Sequence, residues 1–231
     1  MRILIACEES QAVCKAFRKK GHEAYSCDIQ TCSGEHPEWH IQSDVIPLLN
    51  GFCSFETMDG VKHYIDSEWD LIIAHPPCTY LTVAANKLYN IEKYGEKAEK
   101  RLKDREDASN FFLQFVNANC EHKAIENPIG VMSTIYRKPD QIIQPYQFGH
   151  PVRKSTCLWL YNLPKLEPTN IVEPEFVKAN GKGRKYSGNL YGIKREDGKY
   201  LQYTDPELKR MRSKTYQGIA DAMAEQWGCL A

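Results

Sequence analysis

A cysteine that follows two prolines at the end of an apolar run is the residue in this sequence best suited to covalent chemistry. The run 69–74 predicts a buried strand, and Cys78 comes directly after Pro76-Pro77. A second apolar run ends in Glu126, followed by Asn127-Pro128. In open α/β folds the carboxyl ends of parallel strands meet at the edge where ligands bind. The pattern therefore predicts a thiol and a carboxylate side by side at one sheet edge.

These two groups suit addition to an electron-poor ring. A thiolate at Cys78 can add to a ring carbon as a covalent catalyst, and Glu126 can protonate or hydrogen-bond a ring nitrogen. The polar neighbours Thr79 and Thr82 favour this interpretation over a structural buried thiol. Glu126 could instead belong to a simple strand-ending turn. His75, beside the corner, either orients substrate or packs.

The elements that must position these residues alternate in the manner of an α/β fold. Short apolar runs and amphipathic stretches predict a mostly parallel, Rossmann-like sheet with helices on both faces. Strands are predicted at 3–6, 23–27, 71–74, 124–125 and 156–160, and helices at 10–20, 107–119 and 216–227. The lysine-rich stretch 84–105 is either a mobile lid or a helix with a solvated face. We expect one domain over 1–231, with 165–208 as a small irregular insertion.

Acidic residues near the first strands suggest a cofactor site. Asp28 ends the second predicted strand, where nucleotide-binding folds place a carboxylate for ribose hydroxyls, although such a residue is as often a cap or a turn residue. The first turn, 7–11, contains no glycine and is a poor cradle for a pyrophosphate. Glu8 in that turn would favour a cofactor with a cationic tail. S-adenosylmethionine, which lacks phosphates and carries a sulfonium and an ammonium, fits this description.

A metal site is not predicted. Cys27, Cys32, His36 and His40 have metal-ligating side chains, but the spacing between the cysteine pair and the first histidine is far shorter than zinc fingers require. We therefore expect these four residues to serve the fold.

Composition and charge indicate an ordinary globular protein. The sequence has 30 basic and 30 acidic residues, which argues against a dedicated nucleic-acid coat. A local basic patch with interleaved tyrosines at 178–199, continued at 209–214, would suit phosphates and unstacked bases, or else forms a solvated loop and helix face. No apolar run approaches ~18 residues, and Glu8-Glu9 interrupt the N-terminal run too early for a signal peptide. Nine cysteines without a framework fit a reducing cytoplasm.

With these residues in hand, the chain resembles the C5-cytosine DNA methyltransferases, above all their compact phage- and prophage-type members. The family's motifs follow in order over nearly the whole chain: the cofactor motif at 4–11, the ribose acid Asp28, the adenine-contacting acid Asp44, the nucleophile motif Pro76-Pro77-Cys78, the motif Glu126-Asn127-Pro128, the basic motif at 149–156 and the C-terminal helix motif at 215–227. The family's cofactor-loop glycines are missing, Thr79 replaces its glutamine, and the basic motif keeps Arg153 and Lys154. The target-recognition domain is reduced to about 45 residues, which the segment 165–208 represents.

The resemblance implies a S-adenosylmethionine-dependent methyltransferase fold and a DNA (cytosine-5)-methyltransferase. Cys78 would attack C6 of a flipped-out cytosine while Glu126 engages N3, and C5 would take the methyl group. The implied catalytic residues are Cys78, Glu126, Lys154 and Arg153, and the implied cofactor-binding residues are Cys7, Glu8, Ser10, Asp28, Ile29, Asp44, Val45, Pro76, Thr215 and Ile219. DNA is the expected partner, without a membrane or an obligate protein partner, in the cytoplasm of a host if the chain is phage-encoded.

Two alternatives remain open at the level of sequence. The chain could be a methyltransferase that acts on a free nucleotide or on an amino group, although Cys78 stands where an aromatic residue would favour amino-methylation. It could also be a non-catalytic nucleic-acid-binding protein that retains the fold.

Overall fold

A computed structural model describes residues 1–178, 185–187 and 205–229 of the chain. Apolar runs of the sequence form its strands, and β-branched and aliphatic residues fill their buried faces. In chain order the strands are β1 (Arg2–Ala6), β2 (Glu23–Asp28), β3 (His40–Gln42), β4 (Cys53–Glu56), β5 (Lys62–Ile65), β6 (Leu71–Ala74), β7 (Lys123–Pro128), β8 (Gln141–Ile143), β9 (Thr156–Tyr161), β10 (Phe176–Lys178) and β11 (Lys185–Ser187).

Seven strands of the described residues form the central sheet, in the order β3-β2-β1-β6-β7-β9-β8. The neighbours from β3 to β7 are parallel, whereas β9 runs antiparallel to both β7 and β8. The order reverses between β1 and β6, where Ala6 pairs with Ala74. This reversal creates the crevice at the carboxyl edge in which α/β proteins bind ligands. The expected Rossmann-like, mostly parallel α/β fold is confirmed.

Helices cover both faces of the sheet, as expected. The α-helices of the described residues are α1 (Ala12–Lys19), α2 (Ile91–Tyr94), α3 (Glu96–Asn117), α4 (Met132–Ile135), α5 (Pro206–Ser213) and α6 (Gln217–Trp227). Successive residues of β1 point to opposite faces: Ile3 and Ile5 pack with α1 and α6, and Leu4 and Ala6 pack on the side of α3. The sheet is therefore buried on both faces, which leaves its edge as the accessible place for chemistry.

The lysine-rich stretch 84–105 is largely helical. A 3-10 helix covers Val83–Tyr89, α2 follows, and the continuous helix α3 joins the charged stretch to the predicted helix 107–119. The hairpin of β4 and β5 packs Phe55 and Ile65 on the same face as α3 and was not predicted. Within 165–208, the segment predicted to be a small insertion, β10 and β11 pair in antiparallel fashion.

Candidate active site

The ends of β1, β2 and β3 place acidic groups at one half of the carboxyl edge. Asp28 ends β2, and Asp44 follows β3 with an exposed side chain that accepts the backbone N–H of Ile46 at 3.0 Å. The pKa of the Cys7 thiol is raised well above its ordinary value, first by desolvation and then by nearby acidic groups, among them the carboxylates of Asp28 and Asp44. This half of the edge is therefore electronegative, which suits a cationic ligand and not a phosphate.

Two neighbours of these acids differ in exposure. Ile29, directly after Asp28, is 75% exposed, an apolar surface beside a carboxylate. Val45, directly after Asp44, is buried at 4% exposure and belongs to the core. Of these two residues, only Ile29 is accessible to a ligand.

The glycine-free first turn is tight because two non-glycine residues adopt left-handed backbone angles. Cys7 has φ 59° and Gln11 has φ 57°, a region that costs free energy for residues with a side chain. The side chain of Gln11 fixes this turn: its amide donates to the carbonyl of His36 at 2.8 Å, and its carbonyl accepts the N–H of His36 at 3.1 Å. The turn that glycine usually supplies is thus built from side-chain hydrogen bonds.

Glu8 and Ser10, predicted to contact the cofactor, are both buried in this turn at 4% exposure. The carboxylate of Glu8 accepts the N–H groups of Val13 at 2.7 Å and Cys14 at 3.1 Å, which lie in the first turn of α1. These donors are unsatisfied groups of a helix N-terminus, so Glu8 stabilises α1. Its predicted contact with a cationic cofactor tail stays a prediction.

The corner after β6 presents Cys78 at the surface. Pro76 is buried and Cys78 is exposed, and the carbonyl of Cys78 accepts the N–H groups of Leu81 and Thr82. Although the residue is exposed, atoms crowded around its thiol raise its pKa by desolvation, and the charge of Glu126 raises it further. The positive charges of Lys154 and Arg212 act in the opposite direction. The thiol therefore lies within the electrostatic reach of all three side chains.

Glu126 lies on the neighbouring strand and is paired with His75. Nδ1 of His75 is 3.2 Å from Oε2 of Glu126, and their side chains are 9% and 22% exposed. Desolvation alone would raise the pKa of Glu126, but the hydrogen bond and charge of His75 and the charge of Lys154 lower it on balance. The structure thus brings Cys78 and Glu126 to the same corner, together with a histidine.

Lys154 reaches this corner because β9 runs antiparallel. Thr156, the first residue of β9, pairs with Pro128, the last residue of β7. The segment before β9 consequently arrives at the edge where the parallel strands end. Nζ of Lys154 donates to the carbonyl of Arg212 at 2.8 Å, which ties this segment to α5. Arg212 therefore lies near the candidate site, whereas the sequence predicted it only as part of a general basic patch.

Arg153, its neighbour in the basic motif, lies beside two aromatic rings. It is exposed, and its guanidinium carbon is 5.4 Å from the ring centroid of Phe176 and 6.0 Å from that of Tyr146. Both are distances at which a cation interacts with an aromatic ring. Its predicted catalytic role stays a prediction, and its surface position suits a contact with a phosphate backbone.

Backbone contacts join the Cys78 corner to the turn after Glu126. The buried amide of Asn127 donates to the carbonyl of Pro76 at 2.7 Å, and the N–H of Val131 donates to the carbonyl of Leu81 at 2.9 Å. Gly130 makes this approach possible, since a Cβ there would lie 2.3 Å from the carbonyl oxygen of Leu81. These contacts fix the loop that carries Cys78 against the chain that follows Glu126.

Helix α3 clasps the segment after Cys78 with two arginines. Arg105 lies 3.4 Å from the ring centroid of Tyr89 and donates from Nε to the carbonyl of Tyr80 at 2.9 Å. The hydroxyl of Tyr89 donates to the same carbonyl at 2.9 Å, and Arg101 lies over the rings of Tyr80 and Tyr89. We call Tyr80, Tyr89, Arg101 and Arg105 the arginine–tyrosine clamp; it closes the segment onto α3 in this structure.

The C-terminal helix returns to the same edge. Ile219 is buried against α1, and Thr215 is half-buried before the helix begins. The N–H of Gly218 donates to Nε2 of His150 at 2.9 Å, and a Cβ at Gly218 would lie 1.8 Å from the carbonyl oxygen of Phe148. The helix therefore packs directly on the loop that leads to Lys154.

The residues with metal-ligating side chains between 27 and 40 make other contacts. His40 bonds to Ser26 and Gln30, His36 pairs with Glu38, and Cys27 contacts Ser43. Over 1–178, 185–187 and 205–229 no group of three or more potential ligands could hold a metal ion, and no helix there is both long and apolar enough to cross a membrane. Most of the basic patch at 178–199 lies outside the described residues.

Comparisons with known proteins give weak likenesses. No protein-family model matches the chain, and no curated protein does. A solved structure of a protein described as a DNA modification methyltransferase encoded within an Escherichia coli prophage is similar at 15% identity and a TM-score of 0.43, over 74% of this chain and 51% of that one. The Entamoeba histolytica methyltransferase EhMeth is similar at 12% identity and a TM-score of 0.38, over 75% and 57%. The chain thus spans just over half the length of each.

Proposed function

We propose that this chain is a S-adenosylmethionine-dependent DNA (cytosine-5)-methyltransferase that acts through Cys78. The observation that carries the proposal is the placement of an exposed thiol, a carboxylate and a lysine at adjoining strand ends. Cys78 follows β6, Glu126 lies in β7, and Lys154 precedes the antiparallel β9. A nucleophile needs a neighbouring group that engages the ring nitrogen, and this corner supplies both.

The residues at the other half of the edge fit the methyl donor. Asp28 and Asp44 supply carboxylates for hydroxyl and amino groups, Ile29 supplies an exposed apolar surface for a purine, and the tight turn at Cys7 brings backbone close. The negative field of these carboxylates favours a sulfonium and an ammonium. When bound, S-adenosylmethionine would supply an electrophilic methyl group.

The other steps of the reaction are assigned to residues of the chain. The Cys78 thiolate forms a bond to C6 of cytosine, the electron pair of the C5–C6 double bond moves into the ring, and N3 receives a proton by way of Glu126. Lys154 and Arg212 favour the thiolate because their positive charges oppose the rise in the pKa of Cys78 that desolvation and Glu126 cause. After methylation, water takes the C5 proton, the thiolate leaves as the C5–C6 double bond forms again, and N3 returns its proton to Glu126.

The substrate follows from access and charge. Cys78 sits at a sheet edge, so a cytosine in duplex DNA must leave the stack to reach it. Lys154, Arg212 and the exposed Arg153 place positive charge on this side of the molecule, where phosphates would lie.

A trapping experiment tests the proposal. DNA containing 5-fluorocytosine, incubated with the chain and S-adenosylmethionine, is expected to form a covalent adduct that peptide mass spectrometry maps to Cys78, because fluorine blocks the elimination. Cys78→Ala should form none, while Cys229→Ala, which changes another exposed thiol, should react like the wild type. Absence of an adduct with the wild type would sink the proposal. An adduct with 5-fluoro-deoxycytidine monophosphate but not with DNA would assign the activity to free nucleotides.

A further inference from the structure

His75 is a buried titratable residue whose geometry the covalent step leaves unexplained. Its side chain is 9% exposed, and its backbone N–H donates to the carbonyl of Ala6 at 2.9 Å at the end of β1. Nδ1 meets Glu126, while Nε2 is buried and has no hydrogen-bond partner among the described residues. Because an unsatisfied buried polar atom destabilises a fold, stability does not account for a histidine here.

The charged groups around His75 come from several elements. Glu126 faces it from β7, and Glu8 from the β1–α1 turn is near enough that the imidazole charge acts on its carboxylate. Lys154, from the segment before β9, acts on Glu126, and Cys78, on the same corner as His75, lies within the field of Glu126, Lys154 and Arg212. His75 thus lies near two carboxylates: that of Glu126, which would contact the target base, and the buried one of Glu8 in the first turn.

Glu126 by itself is a poor proton donor in this setting. Desolvation raises its pKa, but the hydrogen bond and charge of His75 and the charge of Lys154 lower it on balance, so the carboxyl is ionised near neutral pH. A ring nitrogen that gains electron density as the thiolate adds needs a proton, and an ionised carboxylate has none to give. The proton must come from a group in contact with Glu126.

We propose that His75 is a positioning residue that orients Glu126 and holds the proton which Glu126 passes to the target base. This inference rests on the proposed function and names the proton source for it. In the step, protonated His75 gives its Nδ1 proton to the ionised Glu126 carboxylate, and the carboxyl group so formed gives the proton to N3. The thiolate electron pair forms the S–C6 bond, and the imidazole becomes neutral. Elimination of the thiolate returns the proton along the same path.

One test measures adduct formation as a function of pH. His75→Asn retains an amide N–H that can reach Glu126 but cannot supply a proton, and His75→Leu removes both properties. We expect the rate of adduct formation with 5-fluorocytosine DNA to fall at least tenfold in His75→Asn between pH 6 and pH 8, because the amide has no proton to pass to Glu126. In His75→Leu the rate should fall as well. If His75→Asn follows the wild type at every pH, the proton-holding role is overturned.

A matched pair elsewhere in the chain provides the control. His36 and Glu38 form the same type of contact, 2.8 Å apart, at a half-exposed position before β3, so His36→Asn should leave the pH profile unchanged. An equal loss in His36→Asn would show a general effect of replacing histidine and would overturn the assignment. A wild type that forms no adduct overturns the proposed function itself, whatever the variants do.

A second measurement does not depend on activity. The carboxyl carbon resonance of Glu126 should titrate at higher pH in His75→Leu than in the wild type, because the imidazole no longer opposes desolvation, and at the wild-type pH in His36→Asn. If Glu126 titrates at the same pH in His75→Leu and in the wild type, the pairing does not exist in solution and the inference fails, even if DNA is methylated.

Discussion

The side-chain amide of Asn127 donates a hydrogen bond of 2.7 Å to the backbone carbonyl of Pro76, so the strand that carries Glu126 grips the corner that carries Cys78. This contact joins β6 and β7 beyond the last pair of their ladder, Ala74 with Ile125. It explains why the two motifs occupy one place although about fifty residues separate them. The distance between thiol and carboxylate is therefore set by a buried hydrogen bond as well as by the sheet.

Replacement of Asn127 should affect stability and reactivity together. Asn127→Ala leaves the carbonyl of Pro76 without its buried donor, which costs about 1–3 kcal/mol. Asn127→Asp should cost more, since it points a carboxylate at that carbonyl. Urea unfolding measures the first effect, and the rate of 5-fluorocytosine adduct formation under folding conditions measures the second. Equal rates in Asn127→Ala and the wild type would show that the contact does not position Cys78.

Gly130 should tolerate no side chain. In Gly130→Ala the new Cβ would lie 2.3 Å from the carbonyl oxygen of Leu81, so the loops after Cys78 and Glu126 must separate. We expect a loss of roughly 1–3 kcal/mol in unfolding free energy and a slower adduct reaction. Thr134→Ala, an exposed change in the nearby helix α4, is the control and should stay within about 0.5 kcal/mol of the wild type.

The arginine–tyrosine clamp should restrain the segment after Cys78. Arg105→Ala removes the cation over Tyr89 and the hydrogen bond to the carbonyl of Tyr80. Amide hydrogen exchange in residues 79–90 should become faster, while global stability falls by only about 1 kcal/mol. Lys103→Ala, an exposed change on the same helix, should leave exchange there unaltered. Unchanged exchange in Arg105→Ala would show that the clamp is not what orders this segment.

Lys154 should control the reactivity of the thiol. Its charge lowers the pKa of Cys78 against the effects of desolvation and of Glu126, so Lys154→Ala raises that pKa further. Alkylation of Cys78 by iodoacetamide, followed at peptide level, should then require a higher pH. The same measurement at Cys229 provides an internal control, since that exposed thiol should alkylate with an unchanged profile. A Cys78 profile identical in both proteins would contradict the proposed electrostatic coupling.

Glu8 should make stability depend on pH. Burial raises the pKa of Glu8, although the charge of His75 and the N–H groups of Val13 and Cys14 oppose it. The folded state therefore holds this proton more tightly than the unfolded state, whose value is about 4.3. As pH rises from there through the folded value, the wild type should lose stability relative to Glu8→Gln. Parallel curves for the two proteins in urea unfolding from pH 4 to 7 would refute this.

Much of the fold could be predicted from the sequence, because buried parallel strands are continuous apolar runs. Strand β6 lies at the predicted residues, β1, β2 and β9 lie within one residue of theirs, and Gly21 follows α1 in the expected left-handed conformation, at φ 85°. The hairpin of β4 and β5 and the three-residue strands escaped prediction, because short runs with mixed polarity carry no clear period.

The motifs of the candidate site could be predicted from the sequence, but the contacts between its side chains could not. Adjacent proline-bearing strand ends indicated Cys78 and Glu126, since strand ends carry direct local signals. The pairing of His75 with Glu126, the hydrogen bond from Lys154 to Arg212 and the outward position of Arg153 depend on side-chain directions that only packing decides. Arg212 gave no signal beyond its membership of a basic run.

The reversed direction of β9 has a consequence for the newly made chain. Cys78 and Glu126 leave the ribosome well before Lys154, and Arg212 follows later still. Until β9 inserts beside β7, Lys154 is not held at the corner where its charge opposes the effects of desolvation and of Glu126 on the pKa of Cys78. The cation that favours the thiolate therefore reaches the site only after a later segment has folded onto the strands that carry Cys78 and Glu126.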